Sequence, residues 1–324
     1  MPLFVDTRWK GRHGIARVSS EVLARLELNW HAIDSRISPS SPADVFCPAR
    51  VRLRSQDVVY SPGYNAGPSR ATQLVTVHDL IHFRDSSQRS LAKVLYYEMV
   101  VAPAVRKAGI VFTVSETSRR GIQNWLRDPS VEVVNVGNGC SDAFFPAAAA
   151  SLEDHSEERL FVMVGNPRSH KNCEVALKAI ALVPMGRLIW VVSDVVAATY
   201  LVQAMSVEKN VTVCSNMSDQ ELASLYRSAE ALLFPSTLEG FGLPALESLA
   251  CGTPVIYWQG CESIAEICGS LGFAVESSSD QVIWKNALLD THPRPSPAAI
   301  EALRASYSWE RSTAAISAAI ASRL

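Results

Sequence analysis

Short apolar runs alternate with longer amphipathic stretches, and the whole scheme occurs twice along the chain. In the first half, strand-length runs fall at 3–5, 57–60, 74–78, 110–114 and 131–134, with helical periodicity at 15–26, 91–107 and 116–126. In the second half, the runs fall at 160–164, 188–192, 211–214, 231–234 and 255–257. Helical patterns there occupy 172–182, 197–205, 219–228 and 244–250. Strands separated by helices need crossover connections, so both halves predict parallel sheets covered by helices. The expected fold class is therefore α/β, with two parallel-sheet domains and a ligand cleft between them.

The boundary falls in Pro146-Ala-Ala-Ala-Ala-Ser-Leu-Glu-Asp154, where alanines give way to acid and no periodicity survives. This sets domains at 1–148 and 155–305, followed by 306–324. The last stretch, 297–324, reads as Ala-rich helix broken around Ser306-Tyr307-Ser308. A chain of 324 residues, 48% hydrophobic, is long enough for two cores. Lys and Arg number 30 against 32 Asp and Glu, so no overall basic excess points to nucleic acid and any anion site must be built locally. Seven scattered cysteines, none in C-x-x-C spacing, fit reduced thiols better than zinc or disulfides. No signal-like segment opens the sequence, and Arg187 and Asp194 interrupt its most apolar stretch. A cytoplasmic location is expected.

The segment 231–257 carries most of the chemistry. A buried strand runs into Pro235-Ser-Thr-Leu-Glu239-Gly240-Phe241-Gly242-Leu243-Pro244, and a helix follows. Gly240 and Gly242 let the backbone approach a ligand closely. Amides of Gly242 and Leu243 then face an anion at the positive end of the helix. Glu247 is placed in the first helical turn and Glu239 eight residues before it. Either glutamate alone has an ordinary structural use, such as complementing the helix dipole. The pair bracketing a Gly-x-Gly loop points to a sugar nucleotide instead.

Glu239-Gly-Phe-Gly-Leu-Pro-Ala-Leu-Glu247, continued by Ala250-Cys-Gly-Thr-Pro-Val255, resembles the E-x7-E motif of glycosyltransferase family four. The resemblance extends to Gly165-Asn-Pro-Arg168-Ser-His170-Lys171-Asn172, similar to the family's strand-loop-helix of basic donor-phosphate ligands. Lys171 and Asn172 are expected to open that helix. Family members commonly carry Arg directly before this Lys, whereas here His170 precedes it and Arg168 stands in. Asn216-Met217-Ser218-Asp219-Gln-Glu221 is similar to the segment that meets the nucleobase, and Ser218 with Glu221 also spells a capping box.

In the first half, Gly11-Arg-His-Gly14-Ile-Ala-Arg17 resembles the opening loop that faces the donor. His78-Asp79 resembles the strand end that puts a histidine near the transferred sugar, and its plain structural alternative is a hydrogen-bonded His–Asp loop pair. Ser115 (also readable as an N-cap), Asn138-Gly139 and Tyr307-Ser-Trp309 match further landmarks.

The resemblance implies a GT-B fold of two Rossmann-like domains, the first for acceptor and the second for the nucleotide-sugar donor. Residues 306–324 become a helix crossing back to the first domain. It implies retaining hexosyl transfer, with mannose as the specific expectation, from a nucleoside-diphosphate sugar to a glycan or polyprenyl-linked acceptor in polysaccharide synthesis. Glu239 and His78 are the expected catalytic residues. Lys171, Arg168, Gly240, Phe241, Gly242, Leu243, Glu247, Asn216, Met217 and Gly14 are the expected donor-binding residues. No cofactor or metal is expected: no Asp-x-Asp pair occurs, so loop amides and Lys171 must stabilise the leaving phosphate.

Three rivals share parts of this pattern. Gly240-Phe-Gly-Leu-Pro-Ala245 fits the loose dinucleotide fingerprint, with Glu262 downstream, but five residues separate the strand from Gly240 where that fingerprint allows none. A sugar-nucleotide epimerase or hydrolase shares the phosphate site and lacks an acceptor. A non-catalytic member is disfavoured by the intact Glu239, Glu247 and Lys171. The pattern at 91–107 is read as a core-facing helix, with peripheral contact at the inner membrane face as the alternative.

Overall fold

The computed structural model describes residues 1–11, 13–85, 90–146 and 158–324. They form two compact units, one of Met1–Gly139 with Tyr307–Leu324, the other of Cys140–Ser306. Most of the Ala-rich boundary, 147–154, lies outside the described residues, as does Arg12.

In the first unit β1 (Leu3–Val5), β2 (His31–Ala32), β3 (Val58–Ser61) and β4 (Thr72–Val75) pair in the order β2-β1-β3-β4, all parallel. β5 (Ile110–Thr113) and β6 (Glu132–Asn135) pair separately. A Thr76–Phe112 bridge and the Val77 N–H to Phe112 carbonyl bond, 2.8 Å, join them to β4. The order β2-β1-β3-β4-β5-β6 reverses between β1 and β3, the flavodoxin-like switch point. The run expected at 74–78 is thus corrected: β4 ends at Val75, a single bridge follows, and His78 lies in the loop beyond.

Residues 91–108 are helical, winding through a π turn at Tyr97–Val101. Tyr97, Val101 and Val105 are buried in the core against Val75, Val111 and Ile122. Leu91, Leu95 and Met99 are exposed instead, so the helix faces the core through one side only. The final helix, Trp309–Ala321, belongs to this unit. It opens at Ser308, whose hydroxyl accepts the Arg311 N–H, and Arg25 bonds Glu310 at 2.8 Å.

In the second unit β7 (Arg159–Val164), β8 (Gly186–Val191), β9 (Val211–Cys214), β10 (Ala231–Phe234), β11 (Val255–Trp258) and β12 (Phe273–Val275) form one parallel sheet. Its order is β12-β11-β10-β7-β8-β9, the doubly wound Rossmann arrangement with its switch point between β7 and β10. All four β10 residues are buried, as expected of a central parallel strand covered on both faces. Trp190, Trp284, Ile180 and Leu233 are fully enclosed in its core. β2, β12 and the helices Glu262–Cys268 and Gln281–Leu289 are absent from the expectations. Two or three residues at a sheet edge carry too little apolar pattern to stand out.

Candidate functional site

The loops leaving β7 and β10 emerge side by side at the switch point, where doubly wound sheets hold their ligands. Three hydrogen bonds stitch them together. The Thr237 N–H and hydroxyl both donate to the His170 carbonyl, at 2.7 and 3.2 Å, and Asn172 Nδ2 donates to the Pro235 carbonyl at 3.2 Å. The β7 strand releases the chain at Gly165, whose φ of 128° lies where a side chain is strained. A Cβ there would meet the Lys171 side chain at ordinary contact distance, 3.7 Å, so the backbone conformation alone is what favours glycine. The Gly165 carbonyl is tied down by Trp190 Nε1 at 2.8 Å.

Lys171 therefore reaches across to the second loop. Its Nζ lies 2.6 Å from Glu239 Oε1 and 5.7 Å from the Phe234 ring centre. The Glu239 side chain is 11% exposed and that of Lys171 22%, so the pair is largely withdrawn from water yet reachable. Ser263 Oγ fixes the Glu239 carbonyl at 3.0 Å. A pocket opens beside this pair, lined by Gly165, Lys171, Cys173, Phe234 and Ser236. Burial pushes the Cys173 thiol up to about 12, which keeps it an uncharged part of the wall.

Two local expectations are corrected. Lys171 does not open a helix: it ends a 3₁₀ turn, Ser169–Lys171, and the helix runs Cys173–Ile180. Asn172 breaks between them at φ 49°, its amide drawn to the Pro235 and Ser278 carbonyls. Glu247 is the fifth residue of the helix Leu243–Ala250, in its second turn. A carboxylate there is beyond the short reach of the dipole, so dipole complementation does not explain it. Glu247 is buried, and Tyr226 Oη donates to it at 3.4 Å.

Gly242 caps that helix at φ 120°, and a Cβ on it would collide with Ile264. The first intrahelical bond runs from Ala245 N–H to the Gly242 carbonyl, and Pro244 has no N–H. The Gly242 and Leu243 amides thus lie ahead of the helical ladder, the arrangement that receives an anion. Gly240 and Phe241 are buried in the same loop. Arg168 is exposed and gives its carbonyl to the Lys171 N–H. Asn216, exposed at φ 58°, and half-buried Met217 lie after β9, ahead of the Ser218–Glu221 capping box, which forms as spelled.

The first unit holds the other two residues. Gly14 is exposed at the start of the helix Gly14–Arg25, where His13 Nδ1 accepts the Ala16 N–H. His78 Nε2 donates to the Pro62 carbonyl at 2.8 Å. A carbonyl cannot donate, so Nε2 carries the proton. Burial pushes the ring's pKa down, against the Pro62 bond, leaving Nδ1 as a neutral acceptor. Asp79 bonds the Ile81 N–H instead, so these two residues are not a mutually bonded pair. The sequence reading missed Thr237, Ser263, Trp190 and Cys173. Each acts through a hydrogen bond or wall position set by tertiary contact, and none belongs to a motif. Among the described residues no group of His, Cys, Asp and Glu is positioned to hold a metal ion, and no helix is long and apolar enough to cross a membrane.

Residues 145–287 match the family described as glycosyl transferases group 1. The chain is 27% identical over 239 residues to an O-antigen chain mannosyltransferase B of Escherichia coli, across 68% of this chain and 62% of that protein. It spans between about half and three fifths of the length of the first curated relatives it matches. Among solved structures, sucrose-phosphate synthase from Thermosynechococcus elongatus superposes with a TM-score of 0.73 at 19% identity, covering 98% of this chain and 97% of that one. HepE of Anabaena, solved with UDP and glucose, gives 0.70 at 15% identity, covering 99% of each chain. These likenesses assign the GT-B fold, two Rossmann-like units in one chain.

Proposed function

We propose, from the match of residues 145–287 to the group 1 glycosyl transferases, that the chain transfers a hexose from a nucleoside-diphosphate sugar to a glycan or lipid-linked oligosaccharide acceptor. The observation that carries this reading is the Lys171–Glu239 pair at the switch point, 2.6 Å apart, with the helix start at Gly242 and Leu243 following Glu239 in the same loop. A cation and helix amides suit a diphosphate, and carboxylates suit sugar hydroxyls. HepE, solved with UDP and glucose, supports a nucleotide-sugar donor, and the O-antigen relative favours mannose and polysaccharide synthesis.

In this mechanism the bond between the anomeric carbon and the distal phosphate oxygen breaks as the acceptor oxygen bonds the same carbon from the same face. The acceptor's proton passes to the departing phosphate oxygen, and configuration is retained. Negative charge grows on that phosphate, where preorganised donors contribute most. Lys171 leaves Glu239 for the diphosphate, joined by the Gly242 and Leu243 amides and by Arg168. Glu239 is freed toward the sugar, and Glu247 faces the ribose hydroxyls. His78 Nδ1 accepts from a sugar hydroxyl, Gly14 approaches the donor, and the Asn216–Met217 backbone meets the base. No metal takes part. Peripheral membrane contact through the exposed Leu91, Leu95 and Met99 belongs to the same proposal.

The test is a nucleotide-sugar panel read by thermal shift, because a true donor stabilises in proportion to its occupancy. NMR then follows the product with and without acceptor glycans. Expected are acceptor-dependent transfer, a retained anomer and activity unchanged by EDTA. An inverted anomer, or EDTA loss restored by a divalent ion, sinks the mechanism. Turnover of donor without acceptor assigns a hydrolase or epimerase instead.

A further inference from the structure

At the first unit's switch point, between β1 and β3, the space where such sheets hold ligands is filled by a buried charge network. Asp6 follows β1 and takes Arg8 Nε and Nη2 at 2.8 and 2.5 Å. Asp44 takes Arg8 Nη1 at 2.6 Å and Arg50 Nη2 at 2.8 Å. Asp6, Asp44 and Arg50 are at most 2% exposed. Two carboxylates and two guanidinium groups balance, so the cluster carries no net charge.

Asn65 is its hub. Nδ2 donates to Asp6 Oδ2 at 2.6 Å and Asp44 Oδ2 at 3.1 Å, while Oδ1 accepts Trp9 Nε1 at 2.8 Å and Ser61 Oγ at 2.5 Å. Trp9 can only donate and the carboxylates can only accept, so the amide has one orientation. All four of its hydrogen-bonding positions are used. Through these bonds one turn, 61–65, touches both expected site elements of the unit. On one side it holds Trp9, whose ring leaves no room for a Cβ on Gly63 and stands edge-on to His13, next to Gly14. On the other, its Pro62 carbonyl receives His78.

We infer that Asn65 is a positioning residue for transfer, setting both the β1 loop that leads to Gly14 and the ring of His78. The inference takes the roles of Gly14 and His78 from the proposed function; the geometry stands without it. Asn65→Ala removes the acceptor of Trp9 and Ser61 and leaves Asp6 and Asp44 one donor short.

The experiment compares the full native chain with Asn65→Ala by ¹⁵N NMR of the histidine rings, with the His78 signals assigned from His78→Asn. The native chain should show one His78 tautomer, protonated at Nε2, and the variant a mixture. In transfer assays kcat should fall roughly tenfold to a hundredfold, the scale of a small misplacement, while the donor KM stays within about threefold. A folded Asn65→Ala protein with the native tautomer and native kcat overturns the inference. Should that variant not fold, Trp9→Phe keeps an aromatic, though smaller, ring and deletes the Nε1 donor. It should move both readouts the same way by less, and unchanged readouts there overturn the inference too. If the native chain transfers no sugar at all, the proposed function fails and the tautomer alone decides the positioning.

Discussion

Lys171 Nζ and Glu239 Oε1 stand 2.6 Å apart although 68 residues separate them in the chain. In the proposed transfer the cation assigned to the diphosphate and the carboxylate assigned to the sugar are each other's partners. The two tasks therefore compete, and Glu239→Gln separates them. Removing the carboxylate charge frees Lys171, so a nucleoside diphosphate without sugar should bind as tightly as to the native chain or more tightly. Transfer should fall by about 10²–10³, the scale for loss of a preorganised polar group. Calorimetric titration alongside steady-state rates checks both halves, and weaker diphosphate binding in the variant contradicts the competition.

Lys171→Met has the opposite signature. It leaves Glu239 partly buried without its cation and takes a charge-assisted bond from the phosphate, worth about 1.5–3 kcal/mol. Diphosphate affinity should drop roughly tenfold to a hundredfold. Glu239→Gln combined with Lys171→Met should be more stable to heat than Lys171→Met alone, because the orphaned charge is gone. Thermal unfolding of the two proteins decides it, and equal midpoints would count against the pairing.

The patterns at 211–214, 219–228 and 231–234 made those elements legible to the residue, because each is apolar on the buried side and bounded by capping or turn residues. The glutamates were legible as a spacing. Their surroundings were not: nothing in the neighbourhood of Lys171 says that Asn172 takes φ 49° and ends the turn there, since that choice is made by carbonyls of Pro235 and Ser278 far along the chain. His78 illustrates the same limit. The dipeptide His78-Asp79 suggests a bonded pair, while the fold gives each a different partner. The network of Asp6, Arg8, Asp44, Arg50 and Asn65 left no trace as a motif, its members being scattered over sixty positions and joined by tertiary folding alone.

Gly242 bears two constraints that can be pulled apart. Its φ of 120° disfavours any side chain, and its Cβ position is occupied by Ile264. Gly242→Ala should lower the midpoint of unfolding and distort the turn that opens the helix. Adding Ile264→Ala relieves the collision but leaves the left-handed strain of about 1–2 kcal/mol, so the double variant should recover only part of any loss that Gly242→Ala shows beyond Ile264→Ala. Denaturant titration of the three variants checks this. Full recovery in the double variant places the whole effect in packing and removes the backbone argument.

The first unit should weaken in acid through His82. This ring is 2% exposed, lies with centroids 4.4 and 4.2 Å from Phe83 and Tyr97, and its Nε2 has no hydrogen-bond partner among the described residues. Burial, helped by the Lys93 charge, pushes its pKa from 6.5 down to about 3. The folded chain therefore keeps the ring neutral where the unfolded chain protonates it. Stability is complete above pH 6.5, declines as pH falls toward 3 by up to about 1.4 kcal/mol per pH unit, and levels off below. His82→Phe keeps the aromatic packing and deletes the titrating group, so its unfolding midpoint should change less between pH 7 and pH 5 than that of the native chain. Some slope must survive, because the His78 pKa is also lowered and loses stability in the same direction. Unfolding followed by circular dichroism at the two pH values separates the cases: identical pH slopes in native and His82→Phe proteins mean that His82 is not held neutral by the fold.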